Sequence, residues 1–424
     1  ARVWVEEQFQ LVFQLNEHGL YSTYVLKVSD KEYWLVLYAH HLILDGLSYG
    51  IWTENIFREY FALTGGRFKE VDEPVQFQEL AEKSYKYAAS KSFAKSAGFW
   101  QQQLERQFEP VLKPRHTLSD SDSGTCMVSK VICPAYYQRL IDFSESIGTT
   151  IHQLFIGTLY SYFAACSGRK LIPICLPFHN RTGPAKRAIG CFASVSPLLL
   201  NVDTTSSFPD LLAGLSDGLR SISRHTKYPI SKVLHQARKH QPHINHLFDI
   251  NFNYYKVAFD IDTNGAELET NSLRTGQQPP FKFHLCEFRA KQDIQIQIEA
   301  QLAYFSEHEC ESILERVMFM IEQIVANPQI RIDEFKLVGP KDQNNYANLN
   351  HRANEVSSLS NITLCQLFEQ HAHDKPHDSA IGFKDQSLTF EALNKKANQL
   401  ANKSLNLNAK TDTNVPKPVG LCVN

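Results

Sequence analysis

The chain lacks long apolar runs. None of its 424 residues falls in a stretch approaching the roughly 18 consecutive apolar residues of a membrane-spanning helix, and Ala1 opens without a signal-peptide pattern. It also lacks an excess of either charge. Its 43 basic and 45 acidic residues give a net charge of −2, so there is no general attraction to nucleic acid or to an anionic membrane. The nine cysteines include no CxxC pair and are odd in number. They read as reduced thiols of a cytoplasmic protein rather than a disulfide framework. There is no HExxH pair for zinc and no G-x-S-x-G elbow for a serine nucleophile. Internal repeats and long low-complexity tracts are absent too.

What is present is ordinary globular composition, 43% apolar and 21% charged, at a length that implies two or three domains. Val3-Trp4-Val5, Phe9 to Leu15 and Tyr24 to Val28 alternate as strands. Helical spacing follows Pro74 twice, through Phe77, Leu80, Ala81, Tyr85 and Ala88, then through Phe93, Ala97, Trp100 and Leu104. Residues 108–124 carry two prolines and alternating Ser and Asp, a crossover between lobes. A new αβ series begins after it. Thr125 to Ile132 is a strand, Pro134 opens a helix to Gly148, and Ile151 to Phe163 is an apolar helix ending at Gly168. Leu171 to Leu176 is a strand whose Pro173 points to an edge or an irregularity. Strands at 192–202, 248–254 and 294–298 alternate with a helix through Leu211 to Ile222. Ser306 and Glu309 form a capping box ahead of a last helix.

The stretch Tyr33 to Gly50 concentrates the chemistry. The apolar run Trp34 to Tyr38 reads as a buried strand, and a helix with Leu47, Ile51, Ile56 and Tyr60 follows, stopping at Gly65-Gly66. His40, His41, Asp45 and Gly46 lie on the short connection between them, a common location for functional residues. If the strand continues through His41, alternation sends the two imidazoles to opposite faces. His41 is then assigned to a cleft and His40 to inward packing. A neutral imidazole accepts a proton near neutral pH, which suits a base acting on an amine or hydroxyl. Asp45 either orients that imidazole or holds the turn. Gly46 permits an unusual backbone angle or a close approach by substrate. A zinc site fits poorly, because neighbouring strand residues point apart.

His40-His41-Leu42-Ile43-Leu44-Asp45-Gly46 has the form HHxxxDG and resembles the active-site motif of nonribosomal peptide synthetase condensation domains, within the chloramphenicol-acetyltransferase-like superfamily. Ile189-Gly190-Cys191-Phe192-Ala193-Ser194 resembles the family's IGxFVNT segment, with Ala-Ser for Val-Asn. His225-Thr226-Lys227-Tyr228-Pro229 and Leu247 to Tyr254 resemble later segments in the right order. Farther on, Leu388-Thr389-Phe390-Glu391-Ala392-Leu393 resembles the LTYxEL segment at the start of an adenylation domain, with Val419 to Val423 as its next strand.

The resemblance implies an α/β fold of two chloramphenicol-acetyltransferase-like lobes in a V. It places the first at 1–115, incomplete at its N-terminal side, and the second at 116–337. A linker at 338–361 and the beginning of an adenylation domain at 362–424 follow. It implies amide-bond formation, with a carrier-bound acyl or peptidyl thioester transferred to the amine of a carrier-bound aminoacyl thioester. His41 would be catalytic and His40, Asp45, Gly46 and Arg181 structural, with Asp45 paired to Arg181. His225, Tyr228, Asn251, Asn253 and Ser194 would be channel candidates, although His225 and Tyr228 serve packing equally well. No metal or diffusible cofactor is implied. The phosphopantetheine arms belong to upstream and downstream carrier proteins. The His179-Asn180-Arg181 loop and the run from Phe192 to Pro197 resemble a starter-type domain that accepts a fatty or aryl acyl donor. The alternatives are a non-catalytic docking platform and a stand-alone acyltransferase.

Overall fold

A computed structural model describes residues 1–9, 13–16, 19–64, 77–106, 109–115, 124–242, 244, 246–257, 279–288, 293–340, 342–344, 346–347, 363–384 and 386–408. The Gly65-Gly66 stop, most of the 108–124 crossover and the strand expected at 419–423 lie outside these residues. Contacts divide the chain into two compact units, Ala1–Gly339 and Pro340–Asn424.

The first unit opens with a helix, α1 (Arg2–Phe9), where apolar alternation suggests a strand. Three apolar residues in a row fit either period, and two other features favour the helix. Glu7 and Gln8 are good helix formers, and Trp4 sets its ring edge-on to Tyr24 at 5.0 Å. Tyr24 belongs to β1 (Tyr21–Lys27), which pairs antiparallel with β2 (Tyr33–Ala39) through the turn at Ser29-Asp30-Lys31. β2 ends at Ala39, and residues 40–45 lead directly into α2 (Gly46–Leu63). Two further helices, α3 (Phe77–Ala88) and α4 (Lys91–Leu104), stand where the apolar spacing placed them.

The centre of this unit is a six-stranded mixed sheet, in the order β3-β8-β7-β6-β4-β5. These strands are β3 (Thr125–Ile132), β4 (Leu171–Phe178), β5 (Ser194–Asn201), β6 (Ile250–Val257), β7 (Phe281–Phe288) and β8 (Asp293–Gln301). The pairs β4–β6 and β6–β7 are parallel and the others antiparallel. The helices are α5 (Pro134–Ser146), α6 (Ile151–Ser167), α7 (Phe208–Ser223), α8 (Ile230–His240) and α9 (Glu307–Ala326). α6 is apolar all round because it is enclosed, with Leu154, Phe155, Ile156, Leu159 and Tyr160 fully buried. Each such side chain contributes about 1.5–3 kcal/mol relative to exposure. Gly168 ends α6 in the left-handed conformation that glycine adopts without strain.

Pro173 does not mark an edge. β4 is an interior strand, between β5 and β6. The pairing with β6 covers only Ile174–Ile250 and Cys175–Asn251, so it begins after the proline, whose missing N–H is not needed there. The capping box at Ser306 and Glu309 forms as expected, with Glu309 N–H donating to Ser306 Oγ at 3.3 Å and Ser306 N–H to Glu309 Oε2 at 2.8 Å. A second box, Ser207 with Asp210, starts α7.

The second unit holds a helix Leu364–Asp374, an antiparallel hairpin of β9 (Ser379–Phe383) and β10 (Gln386–Thr389), and a helix Phe390–Asn408. Among the described residues, no helix is long and apolar enough to cross a membrane.

Candidate active site

Asp45 is the N-cap of α2. Its extended backbone ends the β2–α2 connection, and its Oδ1 accepts from Ser48 N–H at 2.9 Å, as capping carboxylates do. The side chain is wholly buried, and Arg181 lies against it, with Nη2 at 2.8 Å from Oδ1 and 2.9 Å from Oδ2. Oδ2 also accepts from the N–H groups of Phe192 and Ala193, at 3.0 and 3.1 Å. Burial opposes ionisation, but the hydrogen bonds from Ser48, Phe192 and Arg181, with the arginine's charge, outweigh it and hold the carboxyl below its ordinary value.

Arg181 reaches this position because of Asn180. Asn180 takes a left-handed backbone, φ 53°, which asparagine tolerates better than most residues. Its side chain repays the strain. Nδ2 donates to Ser194 Oγ at 2.7 Å, and Oδ1 accepts from Thr226 Oγ1 at 2.6 Å. Arg181 Nη1 then donates to the carbonyls of Ala185 and Ala188, and Nη2 to Ser48 Oγ and Gly190 O. Its guanidinium also stacks over the Phe192 ring, 4.3 Å from the centroid. Ser48 completes the brace, donating to Gly190 O at 2.7 Å and accepting from Gly190 N–H at 3.0 Å. A Cβ on Gly190 would fall 2.4 Å from the Phe77 ring, so a larger residue would have to displace that ring where α3 approaches this turn.

This brace fastens the 40–46 connection to the 188–193 turn, and the histidines stand beside it. They are not separated by strand alternation, because β2 stops at Ala39 and residues 41–43 form a turn. His40 folds back on that turn. Its Nδ1 accepts from Leu42 N–H at 3.0 Å, and its ring meets Phe13 edge-on at 5.8 Å. His41 is exposed, with Nδ1 at 4.0 Å from Cys191 Sγ. Gly46 opens α2 without a positive φ, so the unusual angle expected of it is not used. A Cβ there would meet nothing within 4 Å, which leaves clear space next to Asp45.

The channel candidates occupy three places. Ser194 belongs to the brace, donating to Thr226 O at 2.6 Å. His225 and Tyr228 pack between α4 and α8. The His225 ring stacks on Phe99 at 4.1 Å with Nδ1 3.0 Å from Ser96 Oγ, and burial lowers its pKa. Tyr228 packs on Phe93 at 4.9 Å. Asn251 and Asn253 share one face of β6. Asn253 Nδ2 meets His284 Nδ1 at 3.2 Å, while the buried Asn251 Oδ1 has no partner among the described residues. Sequence reasoning missed Ser48, Asn180, Thr226 and Cys191. The first two had a signal, Ser48 three residues past an N-cap and Asn180 ahead of a charged loop residue. No metal-ligating cluster occurs among the described residues.

A buried Asp–Arg pair thus binds an HHxxxDG connection to an IGxF turn. The family model for the condensation domain matches residues 1–346. The chain belongs to the condensation-domain family. That family forms amide bonds by acyl transfer in nonribosomal peptide synthetases, acting on substrates carried by phosphopantetheine arms of carrier proteins. Curated relatives include surfactin synthase subunit 1 of Bacillus subtilis (strain 168), 24% identical over 402 residues, covering 94% of this chain and 11% of that protein. Tyrocidine synthase 3 of Brevibacillus parabrevis is 24% identical over 403 residues, covering 92% of the chain and 6% of the relative. The chain thus spans about a tenth or less of these two proteins. Among solved structures, the starter condensation domain of rhizomide synthetase, a mutant in complex with C8-CoA and Leu-SNAC, superposes with a TM-score of 0.69 at 17% identity, covering 78% of this chain and 75% of that one. The first condensation domain of the calcium-dependent antibiotic synthetase, with a substrate analogue, gives 0.68 at 17% identity, covering 79% and 74%.

Proposed function

We propose that this condensation domain transfers an acyl or peptidyl group from one carrier-bound thioester to the amine of a carrier-bound aminoacyl thioester. The observation that carries the reading is the buried Asp45–Arg181 brace, which fixes the connection that bears His41 and leaves that imidazole exposed. His41 accepts the amine proton, or holds the amine for attack, as the tetrahedral state forms. Asp45 and Arg181 act on the backbone that carries it, not on substrate. Held together, the two thioesters react as one molecule, which lowers the barrier by about 7–11 kcal/mol when they are well aligned.

In this reading the domain comprises two chloramphenicol-acetyltransferase-like lobes, 1–115 and 116–337, that form a V. The two pantetheine arms enter the passage between them from opposite sides. A linker, 338–361, leads to the beginning of an adenylation domain at 362–424, and the helix–hairpin–helix of that unit supports this. The donor is of the starter type, a fatty or aryl acyl group, which the likeness to a starter domain bound to C8-CoA supports. The test uses the chain within its full native protein, with both carriers loaded. His41→Ala should lower amide formation by about 10²–10⁴-fold. Undiminished product would remove the catalytic role and leave a docking platform.

A further inference from the structure

The Cys191 thiol stands beside His41, and nothing in the chemistry above uses it. Its placement is built. Gly190, on one side, is held through both its N–H and its carbonyl by Ser48, with Arg181 also on the carbonyl. Phe192 and Ala193, on the other, give their N–H groups to Asp45. The residue between these anchors is held at both ends of its backbone, and its Sγ lies 4.0 Å from His41 Nδ1. His41 Nε2 has no hydrogen-bond partner among the described residues. Burial, then the Asp45 charge, favours the protonated thiol, so Cys191 needs a base before it reacts. Cys133 and Cys365 are exposed, and neither has a histidine within hydrogen-bond distance among the described residues. They serve as internal controls.

We propose that Cys191 is a modification site, a thiol that uses His41 as its base to exchange with disulfides of the pantetheine class and so blocks access to His41. His41 takes the thiol proton and the Cys191 sulfur attacks one sulfur of the disulfide. The S–S bond breaks, and the departing thiolate recovers the proton from His41. One mixed disulfide and one free thiol result, with no oxidant beyond the disulfide itself. The choice of ligand rests on the function proposed above, in which pantetheine arms reach His41. A pantetheine group on Cys191 fills the space an amine needs, so amide formation falls with Cys191 occupancy and returns on reduction.

The experiment exposes this chain to pantethine or to bis(2-hydroxyethyl) disulfide, quenches with acid and maps labelled peptides by mass. Cys191 should react with pantethine at least about tenfold faster than Cys133 or Cys365, and about tenfold more slowly in His41→Ala. It should also prefer pantethine to the smaller disulfide, and Cys191→Ser should carry no label on that peptide. Parity with the control cysteines, an unchanged rate in His41→Ala, or no preference for pantethine overturns the proposal. Its failure is separable from failure of the proposed function, because labelling needs no carrier and amide formation by the reduced protein is measured independently.

Discussion

Removing one partner of the Asp45–Arg181 pair tests the structural half of this account. Asp45→Asn keeps the size of the side chain and can still accept from Ser48, but it leaves a buried guanidinium with neutral carbonyls, a hydroxyl and the Phe192 ring around it and no counter-charge. Arg181→Met leaves a carboxylate that keeps three backbone N–H donors, from Ser48, Phe192 and Ala193. Breaking a buried pair in this way costs about 3–5 kcal/mol, and the surviving N–H donors should keep Arg181→Met at the lower end. An exposed pair costs about 0–1 kcal/mol. Urea titration at pH 7, followed by fluorescence, separates these cases. The double variant should cost less than the two single changes together, because neither charge is then stranded. Acid gives the same answer from another side. The carboxyl's folded pKa is depressed, so its contribution is present above the unfolded pKa of about 3.9 and fades as pH falls through the folded value. Both single variants within about 1 kcal/mol of the parent, with strict additivity, would refute the claim that the brace is a desolvated, coupled unit.

His246 behaves in the opposite sense. Its hydrogen bond to Asp249 raises its pKa against the effect of burial, so this stabilisation is complete below about pH 6.5 and is lost as pH rises through the folded value. Melting temperatures of the parent should fall across that window, and those of His246→Gln should not follow. Gly157→Ala places a Cβ 2.9 Å from Leu212 Cδ2 and 3.1 Å from the Phe208 ring, and should destabilise by about 1–3 kcal/mol in urea. Ser306→Ala removes the cap of α9 and should cost about 1 kcal/mol by the same titration.

The second half of the first unit was legible in the sequence because its elements carry strong, unambiguous periods. Thr125 to Ile132 forms the strand its alternation described, and α6 ends at Gly168 as the glycine signal indicated. Where the reading failed, two periods competed over a short span. Val3-Trp4-Val5 suits a strand or a helix, and the chain is helical there, with Trp4 set against Tyr24. Pro173 looked like an edge signal because its donor is missing, but only pairing register shows that β6 does not need it. At the site, the Asp45–Arg181 pair came from resemblance, since 136 positions separate its members. The strand alternation expected to part His40 from His41 does not operate. The strand ends two residues short of His41, and a turn holds His40 instead. Cys191 was invisible as chemistry, because only folding brings its sulfur to an imidazole 150 positions away.

The most direct test of the central claim is a single-turnover measurement of amide formation by His41→Ala in its native protein, over a range of loaded-carrier concentrations. The account predicts a maximal rate lower by about 10²–10⁴-fold with the half-saturating carrier concentration unchanged. A maximal rate within a few-fold of the parent, or a loss confined to half-saturation, would contradict it.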